Sequence, residues 1–198
     1  MLSLYLSIRS QKGYIMIIIT EGVDAVGKDT QMSFIENYLE STLKSVHKIH
    51  YSSLKFTDNI DVIKKVSETQ YDDMFKLISL VKDDINLLLN RSHIGEAIYS
   101  PLYRGYSGDY VFDIEKKYER YLSNVKLILF TDTAENICKR DILRNDGKSF
   151  TTEVSKKQIE LDLFDKAFDK SILNKKRIEL LGRSAIEIFN TEVKPFLF

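Results

Sequence analysis

One segment constrains this chain more than any other. An apolar run, Ile15–Thr20 (IMIIIT), leads directly into Glu21-Gly22-Val23-Asp24-Ala25-Val26-Gly27-Lys28-Asp29-Thr30-Gln31. Beyond that segment, Ile35, Tyr38, Leu39 and Leu43 recur at helical spacing from about Lys28. A strand buried on both faces, a glycine-bounded turn and a helix are what a phosphate-cradling loop requires. Gly22 and Gly27 let the backbone turn its N–H groups inward on an anion. The helix N-terminus adds a favourable dipole, and Lys28 a point charge for β- and γ-phosphates. Gly22, Val23, Asp24, Ala25, Val26, Gly27, Lys28, Asp29 and Thr30 are therefore the candidate ATP-binding residues. The pattern GxxxxGK[ST] fails by one place. Asp29 stands where a hydroxyl usually meets Mg²⁺, and Thr30 follows it. Asp29 and Thr30 are the candidate metal ligands.

The remaining pattern predicts an α/β fold. Val46–Tyr51, Ile85–Leu89, Val125–Thr131 and Arg177–Leu181 read as four further strands, the last closed by Gly182. Helical faces lie between them: Met74, Leu77, Ile78 and Val81 mark one. Asp132 with Glu135 predicts an N-cap for a helix running through Cys138 to Leu143. Ser155 with Gln158 predicts a capping box, opening a helix that buries Ile159, Leu163, Phe164, Ala167 and Phe168. A last helix is expected over Ala185–Val193. Strands alternating with helices give a five-stranded parallel sheet flanked by helices, with ligands at the strands' carboxyl ends. No repeat, low-complexity tract or linker divides the chain, so residues 16–198 read as one domain. Met16 directly precedes the first strand, which predicts a start there and residues 1–15 as an extension without catalytic use; a weak organellar targeting segment, with only Arg9 and Lys12 as charges, is the other reading.

Lys+Arg and Asp+Glu are 29 each, a zero formal charge that argues against coating a polynucleotide by bulk electrostatics. No apolar run approaches the roughly 20 residues of a membrane span. Cys138 is the single cysteine, which fits a reducing cytoplasm and a small buried side chain rather than a nucleophile.

Lysine, a non-hydroxyl residue, then threonine and glutamine resembles the loops of adenylate kinases. The fuller Glu-Gly-x-Asp-x-x-Gly-Lys-x-Thr-Gln resembles thymidylate kinases, in which the aspartate matched by Asp24 faces the acceptor's sugar hydroxyl. The third strand ends in Asn90-Arg91-Ser92-His93. Thymidylate kinases carry Asp-Arg there and deoxynucleoside kinases Glu-Arg-Ser, and Arg91 matches both. The resemblance implies a P-loop fold and an ATP- and Mg²⁺-dependent nucleoside monophosphate kinase, with dTMP converted to dTDP. It also implies nucleotides as partners and a homodimer, and the short, divergent, Ile/Lys/Asn-rich chain would suit a viral homologue. An arginine fork at position 91 suits a monophosphate. Asn90 departs from the family's acidic residue, so Asp29 is expected to supply the missing carboxylate from across the cleft.

Other candidates surround that centre. Lys55, Glu96, Tyr99 and Arg104 join Asp24 and Arg91 as acceptor contacts. Phe75 is a candidate for stacking on the base, although the arginine that reads thymine in cellular thymidylate kinases is missing from its helix. His93 reads as structural. Arg140 and Arg144 share a helix face ahead of the polar stretch Asn145–Thr152, resembling the arginine-bearing lid of these kinases, here about 140–155. With Lys28 and Arg91, these two arginines form the expected catalytic set. The other readings are a deoxynucleoside kinase, a polynucleotide 5′-end or modified-base kinase, and a nucleotide-binding regulator with impaired catalysis.

Overall fold

A computed structural model describes residues 15–42, 46–52, 57–147 and 149–197. Five parallel strands form one sheet: β1 (Ile17–Glu21), β2 (Val46–His50), β3 (Asn86–Asn90), β4 (Val125–Thr131) and β5 (Asn174–Glu179), in spatial order β2-β3-β1-β4-β5. The order reverses direction at β1. The chain moves outward to β2, returns to β3 and then crosses β1 to reach β4. A crevice therefore opens beyond the carboxyl end of β1, the place where doubly wound sheets bind ligands.

Burial separates the centre of the sheet from its edges. Every residue of β1 and β3 is buried, and β4 nearly so. β2 and β5 are largely exposed and carry Lys48, Lys175, Lys176 and Arg177, charges that discourage pairing at an open edge. β5 was expected at Arg177–Leu181 but begins at Asn174. An edge strand written Asn-Lys-Lys-Arg-Ile-Glu has no apolar run to betray it, and Leu181 and Gly182 turn with positive φ just beyond.

Helices cover both faces. α1 (Lys28–Thr42) buries Met32, Ile35 and Leu39, three residues on one stripe. α2 (Ile60–Val81) is capped by Asn59, whose side chain accepts from the N–H groups of Asp61 and Val62. It buries Tyr71, Met74, Phe75 and Ile78. Two helices not expected from the sequence follow β3: α3 (His93–Tyr103) and α4 (Tyr110–Lys117), the second packed on α2.

α5 (Ala134–Arg144) and α6 (Val154–Lys170) connect β4 to β5 and pack on each other. The last helical stretch comprises Ala185–Ile188, a π-helical turn at Phe189–Val193, and Lys194–Leu197. It packs on α1 through stacked Phe34 and Phe189 rings, 5.7 Å apart.

Two expected caps are corrected. The α5 cap is Thr133, which accepts from Asn136 N at 3.2 Å; Asp132 is instead drawn to Arg140. Glu153 precedes α6 and accepts from the Ser155 hydroxyl, so Ser155 lies inside the helix and no capping box forms. The buried α6 face also differs. Ile159 is half exposed, whereas Lys157 and Glu160 are buried as an ion pair at 2.8 Å. Pairing, together with a bond from Tyr103 Oη to Glu160, makes that burial tolerable.

Candidate active site

β1 ends in Glu21, and the chain then turns tightly. Gly22, Ala25 and Gly27 have φ of 140°, 63° and 103°. At Gly22 a Cβ would lie 2.4 Å from the carbonyl oxygen of Phe130 on β4, so glycine is obligatory there. Lys28 is buried beneath the turn, and its Nζ donates to Gly22 O at 3.1 Å. Burial lowers the Lys28 pKa, assisted by Arg91, while Asp24, Glu21 and Asp29 oppose the shift. A buried ammonium satisfied by one carbonyl is matched to an incoming anion.

A cavity of about 520 Å³ opens over this turn. The loop from Asp24 to Thr30 forms one wall. His50, Asn90 and Arg91 contribute from the ends of β2 and β3, and Arg140, Arg144 and Asp146 close the far side. Arg140 Nε donates to Ala25 O at 3.0 Å, and its Nη1 pairs with Asp132 at 2.8 Å. Arg144 pairs with Asp141 and Asp146, each at 3.0 Å. α5 thus brings Arg140 onto the phosphate loop and Arg144 to the wall of the same cavity.

Arg91 sits at the junction. Its φ of 67° is uncommon for a side-chain-bearing residue, and its N–H donates to Thr20 O at 2.9 Å, fixing it at the end of β3. Its guanidinium pairs with Asp24 across the cleft. Burial alone would lower the Arg91 pKa, but Asp24 and the neighbouring acidic groups raise it.

Next to Arg91, Asn90 Nδ2 donates to Asp29 Oδ1 at 2.8 Å, while Asn90 Oδ1 is buried with no partner among the described residues. Loop carboxylate and strand-end amide are therefore joined. Among the described residues no group of three or more His, Cys, Asp or Glu side chains stands ready for a metal. Mg²⁺ commonly takes only one or two protein oxygens, with waters and substrate phosphates completing its shell. The exposed Asp29 carboxylate and the orphan oxygen of Asn90 fit that requirement. Thr30 is exposed and also lines the cavity.

Arg91 also borders a second, smaller cavity of about 30 Å³. Gly22, Tyr51, Tyr71, Glu96, Tyr99, Arg104 and Phe150 are among its lining residues. Glu96, Tyr99 and Arg104 thus meet where the sequence groups them. Phe75 does not. It is completely buried beneath His93 and Tyr118, with ring centroids 4.9 Å and 6.0 Å away, and borders neither cavity. The α2 stripe that carries Phe75 is core, so a base cannot stack on it. His93 is equally buried, with Nε2 3.3 Å from Glu115. Cys138 is buried, which raises its thiol pKa. Lys55 and residues 1–14 lie outside the described residues.

Sequence reasoning placed none of Glu21, His50, Asp132 and Phe150 in the site, reading Asp132 only as a helix cap. Glu21 is buried and accepts from the Ser92 N–H and hydroxyl at 2.6 and 2.7 Å, tying β1 to the start of α3. Burial raises its pKa. The first three stand at or just past the ends of β1, β2 and β4, so applying the strand-end rule to every strand would have found them. Phe150 has no such signal.

Solved structures share this fold, two of them as follows. The YorR protein of Bacillus subtilis, in complex with phosphorylated GDP, aligns at a TM-score of 0.65 and 18% identity, covering 91% of this chain and 95% of its own. Thymidylate kinase from Candida albicans aligns at 0.62 and 13% identity, covering 92% and 91%. The chain has the thymidylate kinase fold. No family model matches the sequence, and no curated protein matches it.

Proposed function

We propose that the protein is a nucleoside monophosphate kinase that transfers the γ-phosphoryl group of ATP to a deoxynucleoside monophosphate, with dTMP as the leading acceptor. The observation carrying this reading is the position of Arg91. It borders both cavities, so a phosphate chain on the loop and a monophosphate in the second cavity would meet at one guanidinium. The Asp24–Arg91 pair also resembles the acceptor-facing pair of thymidylate kinases.

The loop N–H groups and Lys28 would hold the β- and γ-phosphates. Arg91 would bind acceptor phosphate, and Asp24 would face its sugar. Arg140 and Arg144 would offset charge on the transferred group and exclude water. Asp29, Asn90 and Thr30 are the residues that would hold Mg²⁺. When bound, that ion neutralises charge on the phosphate oxygens. Acceptance by a phosphate oxygen needs little proton removal, so a buried structural His93 is no obstacle. The family resemblance also carries a homodimer, which sedimentation velocity would check.

The decisive experiment incubates the protein with Mg-ATP and a panel of deoxynucleoside monophosphates, nucleosides and a 5′-hydroxyl oligonucleotide, and measures ADP. Formation of the matching diphosphate from a monophosphate supports this reading. Phosphorylation of nucleosides or oligonucleotides alone overturns it. ATP binding without any transfer would instead mark a regulator.

A further inference from the structure

Phosphoryl transfer makes no use of the polar cluster on the wall of the second cavity. Glu96, on α3, is buried there. Its Oε1 accepts from Tyr106 Oη at 2.6 Å and Tyr110 Oη at 2.9 Å, and its Oε2 accepts from Arg104 Nη1 at 2.6 Å. A close backbone approach holds the cluster together: a Cβ on Gly108 would lie 2.3 Å from Glu96 O. Burial, and then Glu96 itself, raises the Tyr110 pKa, which keeps that hydroxyl a donor.

Hydrogen-bond capacity decides what such a wall can recognise. Three donors already occupy the Glu96 carboxylate, which leaves it poorly placed to accept from a ligand. Arg104 is the reverse. Its bonds to Glu96 and to Ser100 Oγ, the latter at 3.3 Å, both use Nη1, and the Tyr106 hydroxyl is a further side-chain partner. A guanidinium carries five N–H donors and no acceptor, so it offers hydrogens, never a lone pair, to whatever fills the cavity. A base presenting a carbonyl oxygen matches it: O4 of thymine or uracil, O6 with N7 of guanine. Cytosine and adenine present amino groups at the corresponding edge, so donor would face donor in a desolvated site.

We propose that Arg104, locked in place by Glu96, Tyr106 and Tyr110, reads the acceptor base as an oxo base, so that the second cavity takes thymine, uracil or guanine monophosphates and rejects cytosine and adenine. The proposal rests on the monophosphate-kinase reading above and adds the acceptor's chemical class.

The test measures kcat/KM for dTMP, dUMP, dGMP, dCMP and dAMP at saturating Mg-ATP, and in parallel monophosphate affinity by calorimetry without ATP. At least one oxo-base monophosphate should exceed both dCMP and dAMP by about 100-fold. Arg104→Met should collapse that ratio by raising KM for the oxo base, with KM for ATP unchanged. Glu96→Gln, which loosens the clamp but leaves Arg104 present, should move it less in the same direction. A dCMP or dAMP value within tenfold of the best oxo base overturns the proposal, as does an unchanged ratio in folded Arg104→Met. Should no monophosphate be phosphorylated, the kinase reading fails and calorimetry decides the base preference alone. Selective binding of oxo-base monophosphates sustains that preference, and equal or absent binding overturns it.

Discussion

Asp29 and Asn90 are joined by one hydrogen bond across the cleft, and a functional exchange proposed here rests on it. The carboxylate expected at the end of β3 is absent, and the loop residue bonded to that position supplies one instead, 2.8 Å from the amide. If the site needs one carboxylate and is indifferent to which side bears it, Asp29→Asn should raise the Mg²⁺ concentration for half-maximal rate by about tenfold. Adding Asn90→Asp to that variant restores both the carboxylate and its amide partner, and should recover most of the loss. Mn²⁺ binding to the ATP complex, followed by electron paramagnetic resonance, should track the same series. A double variant no better than Asp29→Asn would refute the exchange.

Glu21 gives a second residue-scale prediction. Burial raises its pKa in the folded protein above the ordinary value near 4.5. The unfolded chain therefore releases this proton at lower pH than the folded one. Glu21 then costs stability as pH rises through that window, and the full cost persists above it. Glu21→Gln keeps an acceptor for Ser92 and removes the ionisation. Its Tm should exceed the wild-type value at pH 7 and converge with it near pH 4, as read by thermal denaturation without nucleotide. Asp29 and Arg91 were legible because motif spacing marks them. The pairing of Asp29 with Asn90 was not, since 61 residues separate them and only the fold makes them neighbours.

At the scale of elements, α5 and the stretch after it act on both cavities. Arg140 reaches the phosphate loop and Arg144 lines the cavity above it, while Phe150 stacks on Tyr103 at 4.4 Å and Tyr99 at 5.3 Å. With that ring in place the second cavity holds about 30 Å³, roughly one water, far below a nucleotide's needs. On the proposed reading an acceptor entering this cavity displaces Phe150 from its stack, at about 0.5–1.5 kcal/mol. Phe150→Ala should lower the acceptor KM by about 2- to 12-fold on that basis, with ATP KM unchanged. A rise in acceptor KM would mean instead that the ring stacks on the bound base. The arginines of this element were readable from their four-residue spacing. Phe150 was not, because a lone aromatic in a polar stretch gives no period. The α6 face was misread for a related reason: a buried Lys157–Glu160 pair counts as polar in any hydrophobic pattern.

For the molecule as a whole, strand order explains why two cavities share a wall. β1 and β3 are neighbours in the sheet, so the loop after one and the arginine after the other face the same crevice. The alternation of strands and helices made the parallel sheet legible, and the apolar runs located its buried centre. The charged edge strand β5 and the helices after β3 escaped because their packing is set by tertiary neighbours. The shared wall makes a prediction about linked ligands. A dinucleoside polyphosphate carrying adenosine at one end and a thymidine or deoxyguanosine at the other would occupy both cavities, with its phosphates passing Arg91. Joining the ends makes the second contact intramolecular, so its affinity should exceed that of ATP by about 10²–10⁴. Calorimetry across a series of phosphate-chain lengths should show an optimum, since a linker too short to span the cavities gains nothing. Arg91→Ala should erase most of that optimum while leaving ATP affinity far less affected. A flat dependence on chain length would mean that the two cavities do not receive the two ends of one reaction.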